Sequence, residues 1–392
     1  MHPHLFDLPG GITITTYGFC LMVGFLSAVW FAMRRARLCG ADPDAIVDLA
    51  FVSLLMGVTG ARLMYVVHYW KPRFADQPNK LVAIIDIRQG GLEFLGGLIG
   101  AAIAIFLYLK WKKLSVRLYL DILAPGAMWG LAFGRLGCFF NGCCFGGPCP
   151  LPPEPASPPP AYAVQFPYGS LAHTRQWEER MITVPAELIT TGVRPGLVPA
   201  AALTMSVEKR ERLIGKYRDA LEALETARES NASEAELSKL KRKERLARRA
   251  LAGEGLEHLL TSMGFPSRES PKRRTSASEL QQVAARLSTI PIYATQIFSS
   301  IHAMILSLFL TAVFAYRKRH GLVIGLLFLM YPVARILLEM IRTDNPHDVA
   351  GLTVSQSLSL TMMACAAIYL VILYRFLPEK APAAALTSAG RA

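Results

Sequence analysis

Charge is what this chain has little of. Only 18% of its 392 residues are Asp, Glu, Lys or Arg, against 52% hydrophobic. That balance excludes a disordered chain and an ordinary soluble domain, both of which need more polar surface. Acid is the scarcer sign: 29 Asp and Glu against 42 Lys and Arg leave a formal charge of +13. Such an excess suits nucleic acid in a soluble protein, yet no nucleic-acid motif accompanies it. The basic residues gather instead at the ends of apolar segments and in one polar insert, a placement that fits lipid headgroups. The N-terminus has no basic region ahead of its first apolar stretch and no Ala-x-Ala cleavage site, so the first segment reads as retained rather than as a signal peptide. No internal repeat and no paired broken helices argue for a transporter.

What is present is a set of long apolar runs. A hydrocarbon core about 30 Å thick needs about 20 apolar residues per helix. Seven segments qualify, near 12–33, 45–67, 92–108, 118–136, 294–316, 322–341 and 352–374. The expected fold is therefore an all-α integral membrane protein. Basic residues in short loops mark the cytoplasmic side. Arg34, Arg35 and Arg37 follow the first span, Lys110, Lys112 and Lys113 the third, Arg317, Lys318 and Arg319 the fifth, Arg375 and Lys380 the seventh. All four sets share one side if the N-terminus is outside and the C-terminus cytoplasmic, an alternation that works for seven helices and fails for six or eight.

The expected organisation is helices 1–4 over residues 1–137, an extracytoplasmic head over 138–290, helices 5–7 over 291–378 and a cytoplasmic tail over 379–392. The head is basic, but long loops translocate largely regardless of charge. It opens with a proline-dense stretch, 148–160, that reads as an extended linker. Leu213, Tyr217, Leu221 and Leu224, then Leu237, Leu240 and Leu246, have helical spacing. Ser233 with Glu236 reads as a capping box opening the second helix, so a charged helical hairpin is expected, with no site motif on it.

Two arginines stand out inside apolar segments. Arg135 lies in Gly134-Arg135-Leu136-Gly137-Cys138-Phe139-Phe140-Asn141-Gly142-Cys143-Cys144-Phe145-Gly146, and Arg335 precedes Glu339 by four residues, with Arg342 three further on. A charge near the membrane core costs roughly 2.5–3.5 kcal/mol on insertion scales, so it normally faces a cavity and meets a partner. Two of them in one bundle point to a site for something anionic that arrives from the lipid. Arg335 with Glu339 also fits a purely structural pair, Arg62 a snorkelling side chain, and Tyr17 an interfacial anchor. Gly126, Gly130 and Gly134 read as a small-residue packing ridge.

The order of these motifs resembles the prolipoprotein diacylglyceryl transferase family. The matching pieces are Tyr17-Gly18, Gly60-Ala61-Arg62-Leu63-Met64-Tyr65-Val66, the glycine-rich run from Gly90 to Gly100, Gly134-Arg135-x-Gly137 with Asn141-Gly142, Pro291 to Phe298, Arg335-x-x-x-Glu339-x-x-Arg342, and Gln356. The resemblance implies transfer of a diacylglyceryl group from phosphatidylglycerol to the lipobox cysteine thiol of a prelipoprotein, releasing glycerol phosphate, in a bacterial inner membrane and with no cofactor or metal. It implies that Arg135, Arg335 and Glu339 carry catalysis. Tyr17, Arg62, Gly137, Cys138, Asn141, Cys143, Gly146 and Arg342 would contact substrate, with Gly137, Gly142 and Gly146 offering backbone N–H groups to the phosphate as a nest. Three positions depart from the family pattern. Cys138 replaces an asparagine, Cys143 a glutamate, and Leu95 a histidine that has been the natural candidate for the base. Glu93 and Glu339 are then the candidate proton acceptors for the thiol. The departures also admit a paralogous lipid-dependent transferase with another acceptor, or a membrane protein that binds or transports lipid without catalysis. Cys138, Cys143, Cys144 and Cys149 crowd into twelve residues. On an oxidising face they favour a disulfide over metal binding, since their spacing matches no common zinc pattern.

Overall fold

A computed structural model describes residues 4–8, 12–75, 80–85, 90–149, 160–190, 196–230, 233–253, 277–342, 347–349 and 351–377. The chain divides into two units, the first being His2–Phe140 together with Thr295–Ala392, and the second Asn141–Ala294.

The first unit opens with a β-hairpin, β1 (His4–Leu8) against β2 (Ile12–Thr15), antiparallel. Helices α1 (Thr16–Leu38), α2 (Asp44–His68), α3 (Lys80–Ile85), α4 (Phe94–Trp111) and α5 (Val116–Asn141) follow. After the second unit come α11 (Thr295–Tyr316), α12 (Leu322–Ile341), the strand pair β7 (His347–Val349) and β8 (Leu352–Thr353), and α13 (Val354–Phe376). Seven of these, α1, α2, α4, α5, α11, α12 and α13, are long and apolar enough to cross a membrane. The first begins at residue 16 rather than 12, because Ile12–Thr15 pairs as a strand and the Thr15 hydroxyl then caps the helix by accepting from Gly18 N–H at 3.1 Å.

Glycine decides how closely these helices approach. A Cβ on Gly60 would lie 2.5 Å from the Gly96 carbonyl, and one on Gly100 2.6 Å from the Met56 carbonyl, so α2 and α4 pack backbone to backbone. This is what the Gly90–Gly100 run does. Helix α5 continues to Asn141, past the expected end at 136, because its glycines face α1. A Cβ on Gly137 would meet the Tyr17 ring at 2.9 Å, and Gly126 similarly lies under the Ala28 carbonyl at 3.2 Å. Gly134, expected in that ridge, makes only ordinary contact with Leu21.

The second unit is the head. Strand β3 (Ala163–Val164) pairs with β6 (Ile292–Tyr293), and β4 (Ile189–Thr190) with β5 (Gly196–Leu197). Helices α6 (Leu171–Glu178), α7 (Ala200–Thr204), α8 (Val207–Glu229), α9 (Glu234–Gly253) and α10 (Ala277–Ala285) lie between them. Tyr168, Leu188, Leu203, Ile214, Leu251 and Leu280 form its core, and the Tyr168 hydroxyl donates to the Val198 carbonyl at 2.8 Å. Helices α8 and α9 form the hairpin, with Ser206 and Ser233 accepting from Lys209 and Glu236 N–H as caps. Most of the proline-dense stretch and the turn after Arg342 lie outside the described residues.

Candidate functional site

Helix α12 presents Arg335 and Glu339 one turn apart, and the structure joins them: Arg335 Nη2 lies 2.9 Å from Glu339 Oε2. The same nitrogen donates to Ser355 Oγ on α13 at 2.9 Å. Glu339 is buried, and its other oxygen accepts from the Thr353 hydroxyl at 3.2 Å. Thr353 is also the N-cap of α13, closing a capping box with Gln356 in which each side chain takes the other's backbone N–H. Gln356 therefore acts through helix capping, and the cap fixes the carboxylate that orients Arg335. Thr353 and Ser355 escaped the sequence reading. Thr353-x-x-Gln356 is a capping-box signature and would have found the first; nothing marked the second.

Arg335 stands within electrostatic range of both Arg135, from α5, and Arg342, just past the end of α12. The Nε of Arg135 is buried and has no hydrogen-bond partner among the described residues. Arg135 and Arg342 thus lie near the Arg335–Glu339 pair. Like charges packed this way repel, and desolvation raises the cost. Guanidinium forks match phosphate oxygens in pairs. At the same end, α1 begins with the exposed Tyr17, packed on Gly137.

Several expected contributors do something else. Arg62 donates from Nε to the Ile84 carbonyl, from Nη2 to Ala83, and from Nη1 to Gly90 and Gly91, at 2.7–3.1 Å. It lies over the Tyr65 and Phe74 rings as well. Its guanidinium ties α3 and the glycine loop to α2, which corrects both the substrate-contact and the snorkelling readings. The backbone nest is also corrected. Gly137 lies inside α5, where its N–H belongs to the helix, and Gly146 N–H donates to the Tyr293 carbonyl at 3.0 Å. Gly142 turns the chain at φ +69° beneath Phe166 and Ser170, and Cys144 takes the same left-handed region at φ +59°, a strained conformation for a residue with a Cβ.

The disulfide is a further correction: no disulfide bridge joins any of the seven cysteines, all of which lie among the described residues. Cys138 is buried at the end of α5. Cys143 and Cys144 are neighbours in the head with sulfurs inside 4.8 Å of one another, and Asn141 is exposed where the head begins. Cys149 is buried, its N–H donating to Pro291 O, and burial pushes its thiol up toward the unreactive protonated form.

Seven membrane-length helices, with guanidinium groups gathered at one end, define a multi-pass membrane protein. Comparison with known proteins narrows the class. The family model described as prolipoprotein diacylglyceryl transferase matches residues 3–220 and 245–372, and the chain belongs to that family. The unmatched residues 221–244 are the tip of the α8–α9 hairpin. A phosphatidylglycerol–prolipoprotein diacylglyceryl transferase of Rhodopirellula baltica is 28% identical over 94% of this chain and 74% of its own length. One from Clostridium botulinum is 35% identical over 36% of this chain and 54% of its own, and one from Chromohalobacter salexigens 39% over 34% and 48%. The stretches shared with the last two span about half of those relatives' length.

Proposed function

We propose that this protein is a transferase that moves the diacylglyceryl group of phosphatidylglycerol onto the lipobox cysteine thiol of prelipoproteins at the outer face of a bacterial inner membrane. The observation that supports the reading is the approach of Arg135 and Arg342 to the Arg335–Glu339 pair. Phosphatidylglycerol brings one phosphodiester charge and tails that stay in hydrocarbon, so it enters sideways and leaves its phosphate among the guanidinium groups. Attack by the cysteine sulfur on the glycerol carbon breaks the C–O bond and places a second negative charge on the departing glycerol phosphate. Arg335, already fixed by Glu339 and Ser355, stabilises that charge without reorganising, which is how electrostatic preorganisation lowers a barrier. In this reading Glu339 positions Arg335, Tyr17 contacts the headgroup or peptide, and the head receives the polypeptide substrate. Orientation follows the short basic loops, with the N-terminus outside.

The test is direct. Purified protein, phosphatidylglycerol and a lipobox peptide yield a peptide heavier by one diacylglyceryl group, read by mass spectrometry. Lipid turnover with another thiol acceptor but none with lipobox peptides would move the chain to the paralogous reading that Leu95, Cys138 and Cys143 suggest.

A further inference from the structure

The reaction needs a proton acceptor, because the thiolate is the nucleophile. Neither oxygen of Glu339 is open to a thiol, one being paired with Arg335 and the other accepting from Thr353. We propose that His68, held by Glu93, is the base that takes the proton of the incoming cysteine. The inference rests on the function proposed above and deepens it.

The pair comes from helix packing. The Gly60–Gly96 and Met56–Gly100 contacts draw α2 and α4 together, so the last residue of α2 meets the residue that leads into α4. His68 Nδ1 lies 2.8 Å from Glu93 Oε1. Glu93 is fixed in turn by its own N–H, which donates to the Ala61 carbonyl at 3.1 Å. The imidazole stacks on Tyr69, ring centroids 4.7 Å apart and planes 27° from parallel. Two contacts thus set the ring's orientation. A carboxylate only accepts, so the shared proton sits on Nδ1 and Nε2 presents its lone pair. The side chain is 67% exposed, open to a peptide arriving from water, while Glu93 is 23% exposed beneath it. The other charged groups nearby are Arg73, over the Tyr69 ring, and Arg62, which is held by carbonyls. Among the described residues His68 is the one histidine with a carboxylate against its ring.

Placement agrees with the role. Reading the membrane helices in turn, α1 starts, α2 ends, α4 starts, α5 ends, α12 ends and α13 starts on one side of the bundle. His68 and Glu93 therefore share that side with Arg135, Arg335, Glu339 and Ser355. Glu93 also stands two residues before Leu95, so the pair restores an imidazole to the end of the bundle where that position lacks one.

The step balances without a further reagent. The S–H bond breaks and its proton passes to His68 Nε2, while the Nδ1–H keeps donating to Glu93, whose carboxylate stabilises the imidazolium. The sulfur pair forms the C–S bond as the C–O bond breaks, and the electrons leave on glycerol phosphate. That dianion or water then removes the proton from His68.

The experiment uses the full chain, phosphatidylglycerol and a lipobox peptide. His68→Ala lowers the rate of thioether formation about a hundredfold, the lower range for loss of a general base, and added imidazole restores part of it. His68→Gln keeps a hydrogen bond to Glu93 but takes no proton, and falls equally. Phosphatidylglycerol binding is unchanged in both, which shows that they are folded. Wild-type rates in both variants overturn the inference, as does recovery of activity by glutamine, which would make His68 a positioning residue only. If wild-type protein binds phosphatidylglycerol but forms no thioether, the proposed function itself fails and takes this inference with it.

Discussion

Helix α5 carries an ionic group toward each end, buried near its start and half-buried near its end, and the two are built differently. Near its start, Asp121 accepts from the N–H groups of Gly321 and Ile324 at 2.7 and 3.0 Å and faces Arg317 at 3.5 Å. Arg35 beside it donates to the Ile122 carbonyl and the Thr311 hydroxyl. Arg317 is met there by the Asp121 carboxylate and Arg35 by a carbonyl and a hydroxyl, and the group ties α1, α5, α11 and α12 together. Fourteen residues on, about 21 Å at 1.5 Å per residue, Arg135 shares its surroundings with two more arginines and one carboxylate. Both clusters cost desolvation, the first being met by Asp121, backbone and a hydroxyl, the second by Glu339, Ser355 and Thr353. We propose that the first group is architecture and that the second, where three arginines gather, receives an anionic ligand. Arg62, engaged by four carbonyls, falls with the first kind although its sequence context resembles the second.

The largest effects should separate the two ends. Arg135→Ala and Arg335→Ala each lower the transfer rate about a hundred- to a thousandfold, the scale for losing one preorganised donor. Both should leave the detergent-solubilised protein as heat-stable as wild type, because relieving repulsion offsets lost packing. Asp121→Ala behaves the other way: stranding Arg317 and the α12 N-terminus costs about 3–5 kcal/mol, seen as a collapse in the yield of monodisperse protein. If Arg135→Ala unfolds the bundle while Asp121→Ala only slows turnover, the distinction is wrong.

A second contrast lies between glycines that pack and glycines that turn. Gly60→Val places a branched side chain against the Gly96 carbonyl, so α2 and α4 separate and folded protein is lost. The same packing holds His68 near Glu93, so milder Gly60→Ala protein that survives should lose transfer activity more than phosphatidylglycerol binding. Smaller again is Gln356→Ala, which opens the cap on α13 for about 1 kcal/mol of stability. By loosening Thr353 and Glu339 it should lower kcat while leaving KM for the peptide in place. The least effect concerns the head. Burial lowers the His173 imidazole, so the folded head favours it neutral. Stability is then fully present above the usual histidine value, about 6.5, and declines as pH falls below it. His173→Phe should flatten that decline in the melting temperature of the full chain.

Much of this was legible in the residues. Seven apolar runs gave seven helices, and leucine spacing around Ser233 gave the hairpin, because both signals are periodic and local. The four-residue shift at the first helix arose from a strand too short to announce itself beside an apolar run. Arg135 and Arg335 were conspicuous as charges in hydrocarbon, but whether they met depended on tertiary packing. Arg62 was misjudged for the same reason, since its partners lie 21 to 29 positions away and are backbone carbonyls that no sequence displays. His68, 25 positions from Glu93, carries no motif, and only Glu93, inside the Gly90–Gly100 run, was marked in the residues.

The central claim is that guanidinium groups from α5 and α12 hold one phosphate between them. A double-mutant cycle on phosphatidylglycerol binding, with Arg135→Gln, Arg335→Gln and the pair, measures it most directly. The account predicts a large loss for each single change and little more for both, with phosphatidylcholine binding unaffected. Independent, additive losses, or affinity for phosphatidylglycerol that survives both changes, would contradict it.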